Sequence, residues 1–278
     1  MVPAIVGKTM SRLCAALEIN CPGLIEAVYL YGSTALGAYV EGASDIDFIA
    51  VFRRPPGPGQ LLAIEAAHEE LAKTLPGTDI MGAYLLREQL GKPDGEIGSV
   101  PVYFNGALHL DGKGADLNPV TWWILKKHGI CVYGEKVPFD FEVPVSTLLD
   151  YVIGNMNGYW AGWVAKLESL SGEVNREERA VAAETVDFAV EWCVLGMLRQ
   201  LYTLRERDVT SKQGAGEYGL NRLPEHFHGL VREALAIRRR KPDRCYDSEA
   251  RRVKELVELL RYIHEESNRT YYSLRDAT

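Results

Sequence analysis

Val28-Tyr-Leu-Tyr-Gly-Ser-Thr-Ala-Leu-Gly37, followed after a short gap by Glu41-Gly-Ala-Ser-Asp-Ile-Asp-Phe-Ile-Ala-Val51, decides the reading of the first half of the chain. Glu26 to Tyr31 has the content of a short strand, Ser33 to Tyr39 reads as a turn entering a helix, and Asp45 to Phe52 is a second strand rich in β-branched and aromatic residues. A strand that runs into Gly32-Ser33 and opens a helix leaves backbone N–H groups free at the turn, and these suit a phosphate oxygen. Gly32, lacking a side chain, lets a ligand come close to the backbone. Asp45 and Asp47 stand two apart on a strand, so both carboxylates point to one face while Ile46 and Phe48 point to the other. Like charges at that spacing repel, and a divalent cation between them removes the penalty. Oxygen-only ligands with room for water and phosphate favour Mg²⁺.

Working outward, Ile5 to Leu17 is a helix by its apolar spacing, and Arg53 to Gly59, with three prolines, is a loop. Gln60 to Leu75 returns to helical spacing and stops at Pro76-Gly77. Thr78 to Leu86 is a strand whose Asp79 shares a face with Met81 and Ala83. Pairing beside the Asp45 strand would bring Asp79 to the same rim, as a further metal ligand or as general base for an attacking hydroxyl. Val100 to Leu110 adds one or two strands, Asn118-Pro119 opens a helix to His128, and Ile130 to Tyr133 is a last strand.

From Pro144 the texture changes to helices: Ser146 to Leu170, Glu177 to Arg205, Pro224 to Arg239 and Ser248 to Asn268, the last with the stripe Val253, Leu256, Val257, Leu260, Ile263. The expected architecture is an α/β domain over residues 1–143, a mixed sheet flanked by helices, followed by an all-α helical bundle over 144–278, with the boundary between Gly134 and Pro144.

The composition narrows the function. The chain has 278 residues, 47% of them hydrophobic, and its uncharged stretches fall short of a membrane span. Residues 1–144 hold 11 Lys and Arg against 17 Asp and Glu. That acidic balance argues against a duplex-DNA footprint and for a site that recruits metal cations or a cationic small molecule. Five cysteines without a C-x-x-C pair, and no leader-like start, set the expectation of a reducing cytoplasm with neither nucleic-acid nor membrane partners.

Gly32-Ser33 followed by Asp45-x-Asp47 is similar to the signature of the nucleotidyltransferase superfamily. Over most of its length the chain resembles the aminoglycoside adenylyltransferases of the spectinomycin and streptomycin type, including Asn118-Pro119, His128-Gly-Ile-x-Val-Tyr-Gly134, Arg199 to Tyr202, Ser211-Lys212, Tyr218 and Leu223-Pro224-Glu225. The resemblance implies an N-terminal nucleotidyltransferase domain and a helical domain, with the site in the cleft between them. The implied reaction is Mg²⁺-dependent transfer of AMP from ATP to a hydroxyl of a small cationic antibiotic, releasing pyrophosphate and conferring resistance. It implies that Asp45 and Asp47 bind magnesium and that Asp79 is the catalytic base where those enzymes carry Glu. Gly32 and Ser33 would meet the nucleotide, whose triphosphate Arg199 and Lys212 would grip. The Trp that streptomycin-modifying members carry has no match near Tyr103 to Leu108, and Ala189 stands where they hold an acidic drug contact; Asp187 and Glu191 are the alternatives for a cationic drug. A different small-molecule or protein acceptor, or a catalytically silent nucleotide-binding or antitoxin-like module, are the competing functions. Retention of all three carboxylates argues against silence.

Other motifs have plainer readings. Gly214-Ala-Gly-Glu-Tyr-Gly219 matches a dinucleotide pattern but follows a polar segment instead of a strand and sets Glu217 where pyrophosphate would lie. His226 and His228 lack a third metal ligand. Arg238-Arg-Arg-Lys241 reads as a helix end with basic side chains complementing the dipole. Trp122, Trp123, Trp160 and Trp163 read as packing residues, with stacking on a sugar or adenine the minor alternative.

Overall fold

The structure is a computed structural model that describes residues 1–276 except 113, 115, 178–182, 242–244 and 247. The chain divides into two compact units, Met1–Pro144 and Val145–Thr278.

The first unit is built on a six-stranded mixed sheet. Its elements in chain order are α1 (Ala4–Asn20), β1 (Ile25–Leu30), α2 (Gly32–Ala35), β2 (Ile46–Phe52), α3 (Pro58–Thr74), β3 (Ile80–Leu86), α4 (Asp94–Ile97), β4 (Val102–Phe104), β5 (Ala107–His109), α5 (Pro119–His128) and β6 (Ile130–Gly134). The strand order is β5-β4-β3-β2-β1-β6. Only β2 and β3 run parallel, paired from Ile46↔Ile80 to Phe52↔Leu86.

All seven residues of β2 are buried, as expected for a central strand covered on both faces. Ile46, Phe48, Ala50 and Phe52 enter one core with Met10, Leu13 and Leu17 of α1 and Ile64, Ala67 and Leu71 of α3. Strand alternation sends Asp47, Ile49 and Val51 to the opposite face. Within the core His68 is 1% exposed, its Nε2 lies 2.7 Å from the Tyr84 hydroxyl, and its ring stacks on Tyr103 at 3.8 Å. Helix α5 starts where expected: Asn118 Oδ1 accepts from the Val120 and Thr121 N–H groups, and Pro119 needs no partner.

Three local expectations are corrected. The helix after Ser33 is a single turn, α2, and Asp45 and Asp79 stand immediately before β2 and β3 instead of inside them. The sequence around Lys212, read as a polar segment, is a helix.

That helix is α10 (Lys212–Arg222) of the second unit, with the Ser211 hydroxyl accepting from Gly214 N–H as N-cap. Three glycines in eleven residues lower its intrinsic propensity. Packing overrides them: a Cβ on Gly216 would come 2.5 Å from Leu235 Cδ2, and one on Gly219 2.9 Å from Leu198 Cδ1. The remaining helices are α6 (Val145–Asn155), α7 (Ala161–Glu177), α8 (Ala183–Ala189), α9 (Leu195–Glu206), α11 (His228–Arg238) and α12 (Glu249–Asp276). Residues 178–182 of the expected Glu177 to Arg205 helix lie outside the described residues. The expected stripe of α12 is buried throughout, and this helix packs against α6, α7 and α9.

Two π-helical turns, Met156–Trp160 and Val190–Val194, join α6 to α7 and α8 to α9. Among the described residues no helix is long and apolar enough to cross a membrane.

Candidate active site

In the first unit the site is set by the start of the parallel pair. Ile46 N–H donates to the Asp79 carbonyl at 2.9 Å, which ties the residues ahead of β2 and β3 to one rim of the sheet. By the register Ile46↔Ile80 and Asp47↔Met81, the side chains of Asp45, Asp47 and Asp79 belong to the face opposite α1 and α3. Burial is the main cause that raises the Asp79 carboxyl above its ordinary range, and the charge of Asp45 adds to it, so the two carboxylates feel each other.

Asp47 is held from the β1 side. Tyr31 N–H donates to the Asp47 carbonyl at 3.1 Å, and the chain then turns through Gly32 at φ +55°. A Cβ on Gly32 would sit 1.8 Å from Asp47 Oδ2, so glycine is required for the carboxylate to lie against the turn. Beside it, the Ser33 and Thr34 hydroxyl oxygens are buried and have no hydrogen-bond partner among the described residues. The Tyr31 hydroxyl is pushed well above its usual range by burial and then by Asp47, Asp116 and Asp45. Asp116 therefore joins the acidic face. It precedes α5, where its side chain accepts from Asn118 Nδ2 and its carbonyl from the Thr121 hydroxyl. Sequence reading missed it because no periodicity in that loop marks it.

This face suits a hard cation. Asp45 and Asp47 offer oxygen only, and among the described residues no group of three or more His, Cys, Asp or Glu side chains is spaced to hold a metal ion. Two carboxylates with the remaining positions left to water and phosphate is the usual Mg²⁺ arrangement. The buried Ser33 hydroxyl, without a hydrogen-bond partner among the described residues, would suit a phosphate oxygen.

The second unit holds a cationic cluster. Lys212, at the first turn of α10, places Nζ 3.0 Å from Glu191 Oε1 and 4.5 Å from the Trp192 ring centroid. Arg238 at the end of α11 reaches the same Glu191 oxygen at 3.4 Å. Burial lowers the Lys212 ammonium below its ordinary value against the pull of Glu191, with Arg238 and Arg199 pushing the same way as burial. Lys212 and Arg238 thus share one acid, and the charge of Arg199 reaches Lys212. Arg238 is 8% exposed and is more than the helix-end charge its run of basic residues suggested.

The two acids considered for a cationic drug are partly buried and ion-paired within the second unit. Glu191 bridges Lys212 and Arg238, and Asp187 lies 2.7 Å from the Arg252 guanidinium, which is 1% exposed and also pairs with the fully buried Glu233.

A sheet that gathers carboxylates beside a Gly-Ser turn, joined to a helical unit, is the architecture of a nucleotidyltransferase with an added helical domain. Residues 13–93 match the nucleotidyltransferase domain family, and residues 156–262 match the family described as aminoglycoside adenylyltransferase, C-terminal domain. The chain belongs to the aminoglycoside adenylyltransferases of the nucleotidyltransferase superfamily and is an adenylyltransferase enzyme. No curated protein sequence matches it. Among solved structures, the spectinomycin adenyltransferase AAD(9) from Enterococcus faecialis, determined with ATP and spectinomycin, is similar in fold, with a TM-score of 0.60 at 12% identity over 94% of this chain and 98% of that one.

Proposed function

We propose that the protein transfers AMP from ATP to a hydroxyl of an aminoglycoside-type antibiotic of the spectinomycin or streptomycin class. The observation that carries this reading is the gathering of Asp45, Asp47 and Asp79 at one rim of the sheet beside Gly32-Ser33. Asp45 and Asp47 are the residues that would hold Mg²⁺, which when bound withdraws charge from the triphosphate. The Ser33 hydroxyl and the turn at Gly32 contact a phosphate oxygen of the nucleotide. Arg199, Lys212 and Arg238 neutralise the triphosphate, and Glu191 keeps Lys212 and Arg238 together in place of a direct contact with the drug.

Asp79 takes the proton of the acceptor hydroxyl as that oxygen attacks the α-phosphorus; the bond from the α-phosphorus to the bridging oxygen breaks, and pyrophosphate leaves with the electron pair. Its raised carboxyl pKa makes it a better base than an unperturbed aspartate. An antibiotic as acceptor is supported by the adenylyltransferase family of the second unit and by spectinomycin in the similar structure.

The test is pyrophosphate release from ATP with spectinomycin, streptomycin and other aminoglycosides, each checked by mass spectrometry for one added AMP, with Asp47→Ala as control. Drug-dependent release lost in the variant is expected. Release that depends only on added cell lysate would transfer the reading to another acceptor, and no release with either would sink it.

A further inference from the structure

The rim of the sheet opposite the carboxylates holds a cavity of about 410 Å³, at the lower end of the range for small-molecule sites. Strand pairing sets its charges. Phe52↔Leu86 closes the register of β2 with β3, and the next residue of each strand is an arginine, Arg53 and Arg87, with Arg54 following the first. All three line the cavity. Like charges at the neighbouring ends of paired strands are unfavourable. One acid offsets them in part: Glu26, at the start of β1, pairs with Arg87 at 2.7 Å. Among the described residues Arg53 and Arg54 have no carboxylate partner. Arg54 Nη1 donates to Gln60 Oε1 at 3.1 Å, and this neutral amide fixes the guanidinium without cancelling its charge. The same oxygen accepts from Gly57 N–H at 3.0 Å, and the loop that carries Arg54 is further stiffened by Pro55, Pro56 and Pro58.

Guanidinium groups held in this way match an oxyanion. Their planar forks meet pairs of carboxylate or phosphate oxygens in charge-assisted hydrogen bonds, and a stiff loop loses little freedom when they do. Phe52 and Leu86 add apolar surface to the lining, enough for a small organic body beside the charged group. The second acid of the lining is Glu88, which is exposed. Three guanidinium groups against two carboxylates leave one surplus positive charge, which suits a single oxyanion better than a polyphosphate. We propose that this cavity is a second binding site, for a small molecule that carries one carboxylate or phosphate group, gripped by Arg53 and Arg54 while Glu26 holds Arg87 beside them. β2 and β3 each run seven residues from the acidic rim to this one, a distance of about 20 Å at roughly 3.3 Å per residue. The site is therefore separate from the carboxylates and stands whether or not an antibiotic is the acceptor of AMP.

The experiment titrates phenyl phosphate, benzoate and the neutral benzyl alcohol into the full chain labelled with ¹⁵N-arginine, following the arginine Nε–H signals by NMR. Arg53→Lys and Arg54→Lys assign the two signals by their disappearance. Both should shift saturably with at least one oxyanion and not with benzyl alcohol, and the tighter of phosphate and carboxylate identifies the group the site takes. Arg54→Ala removes a charge-assisted contact, so the dissociation constant read from the Arg53 signal should rise roughly 10- to 100-fold. Arg54→Lys keeps the charge without the fork and should recover only part of the affinity. Arg54 is exposed, so its variants should fold, which circular dichroism checks. Lys212→Ala, which alters the cation cluster of the second unit, should leave the shifts unchanged. Shifts that do not saturate, that benzyl alcohol reproduces, or that keep their midpoint in Arg54→Ala would overturn the site. Loss of the shifts in Lys212→Ala would overturn it by giving the oxyanion to the other cluster.

Discussion

Gly32→Ala isolates the geometry on which the acidic rim depends, because a second glycine of the same stretch provides the control. Gly32 has φ +55° and Gly37 φ +67°, so alanine at either position accepts the left-handed region at a cost of about 1–2 kcal/mol. They differ in what the new methyl meets. Around Gly37 there is nothing within 4 Å, whereas at Gly32 the Cβ would fall 1.8 Å from Asp47 Oδ2 and 2.6 Å from its Cγ. Ordinary contact requires about 3.5 Å, so the Asp47 carboxylate or the turn must shift by well over an ångström. Asp47 is only 9% exposed, which leaves little room for the swing. A displacement of about 1 Å in a reacting constellation can cost about 10²-fold in rate. The expected result is a loss of about 1–2 kcal/mol in urea denaturation for Gly37→Ala with turnover near wild type. Gly32→Ala should lose about 1–3 kcal/mol more from overlap, with turnover down by ~10² or more. Stability and AMP transfer would be measured on the same preparations. Equal turnover in the two variants would refute the claim that Gly32 is there to admit the Asp47 carboxylate.

Asp79→Asn keeps the shape of the side chain but cannot take a proton, so MgATP affinity should stay near normal in calorimetry while kcat falls by ~10²- to 10⁴-fold; joint loss of binding would make Asp79 a metal ligand. Lys212→Ala removes a charge-assisted contact to phosphate, so ATP binding should weaken by about 1.5–3 kcal/mol, and unchanged affinity would remove the cluster from the site. His68 supplies a pH prediction. Burial holds its pKa down to about 3, against about 6.5 in the unfolded chain, so its contribution to stability is complete above pH 6.5 and is lost as pH falls from there toward 3. At pH 5 the loss is about 2 kcal/mol at 1.36 kcal/mol per unit, so His68→Gln should show a shallower fall in urea midpoint between pH 7.5 and pH 5 than wild type; parallel slopes would contradict it.

The architecture was legible because periodicity changes near Pro144: alternation with short spacing before it, long apolar stripes such as Val253 to Ile263 after it. Strand parity likewise puts Asp45 and Asp47 on one face. What could not be read is long-range. The parallel pairing that carries Asp79 to that rim depends on a crossover through α3, and the place of Asp116 depends on a loop without pattern. The helix at Lys212 was hidden because Gly214, Gly216 and Gly219 lower helix propensity, yet Gly216 and Gly219 admit Leu235 and Leu198. Arg238 and Glu191 are 47 residues apart, and only tertiary packing joins a helix end to the cluster. The π turns inserted into otherwise regular helical spacing leave no sequence signal strong enough to separate Trp160, buried as packing, from Trp163 and Phe188, which are not.

Each unit gathers charges of like sign within its own fold. In the first, Asp45, Asp47 and Asp116 are near the buried Tyr31 hydroxyl, and the Ser33 hydroxyl has no hydrogen-bond partner among the described residues. In the second, Lys212 and Arg238 share Glu191, and burial together with neighbouring guanidinium groups works against the charge on Lys212. Natural sequences avoid such local conflicts in structural cores, and where they persist a ligand commonly resolves them. The Arg252 network shows the contrast: its charge is buried more deeply and is matched by Asp187, Glu233 and Glu249, as a structural ion cluster requires. Under the proposed function a magnesium ion would suit the carboxylates of the first set, and a polyphosphate the cations of the second.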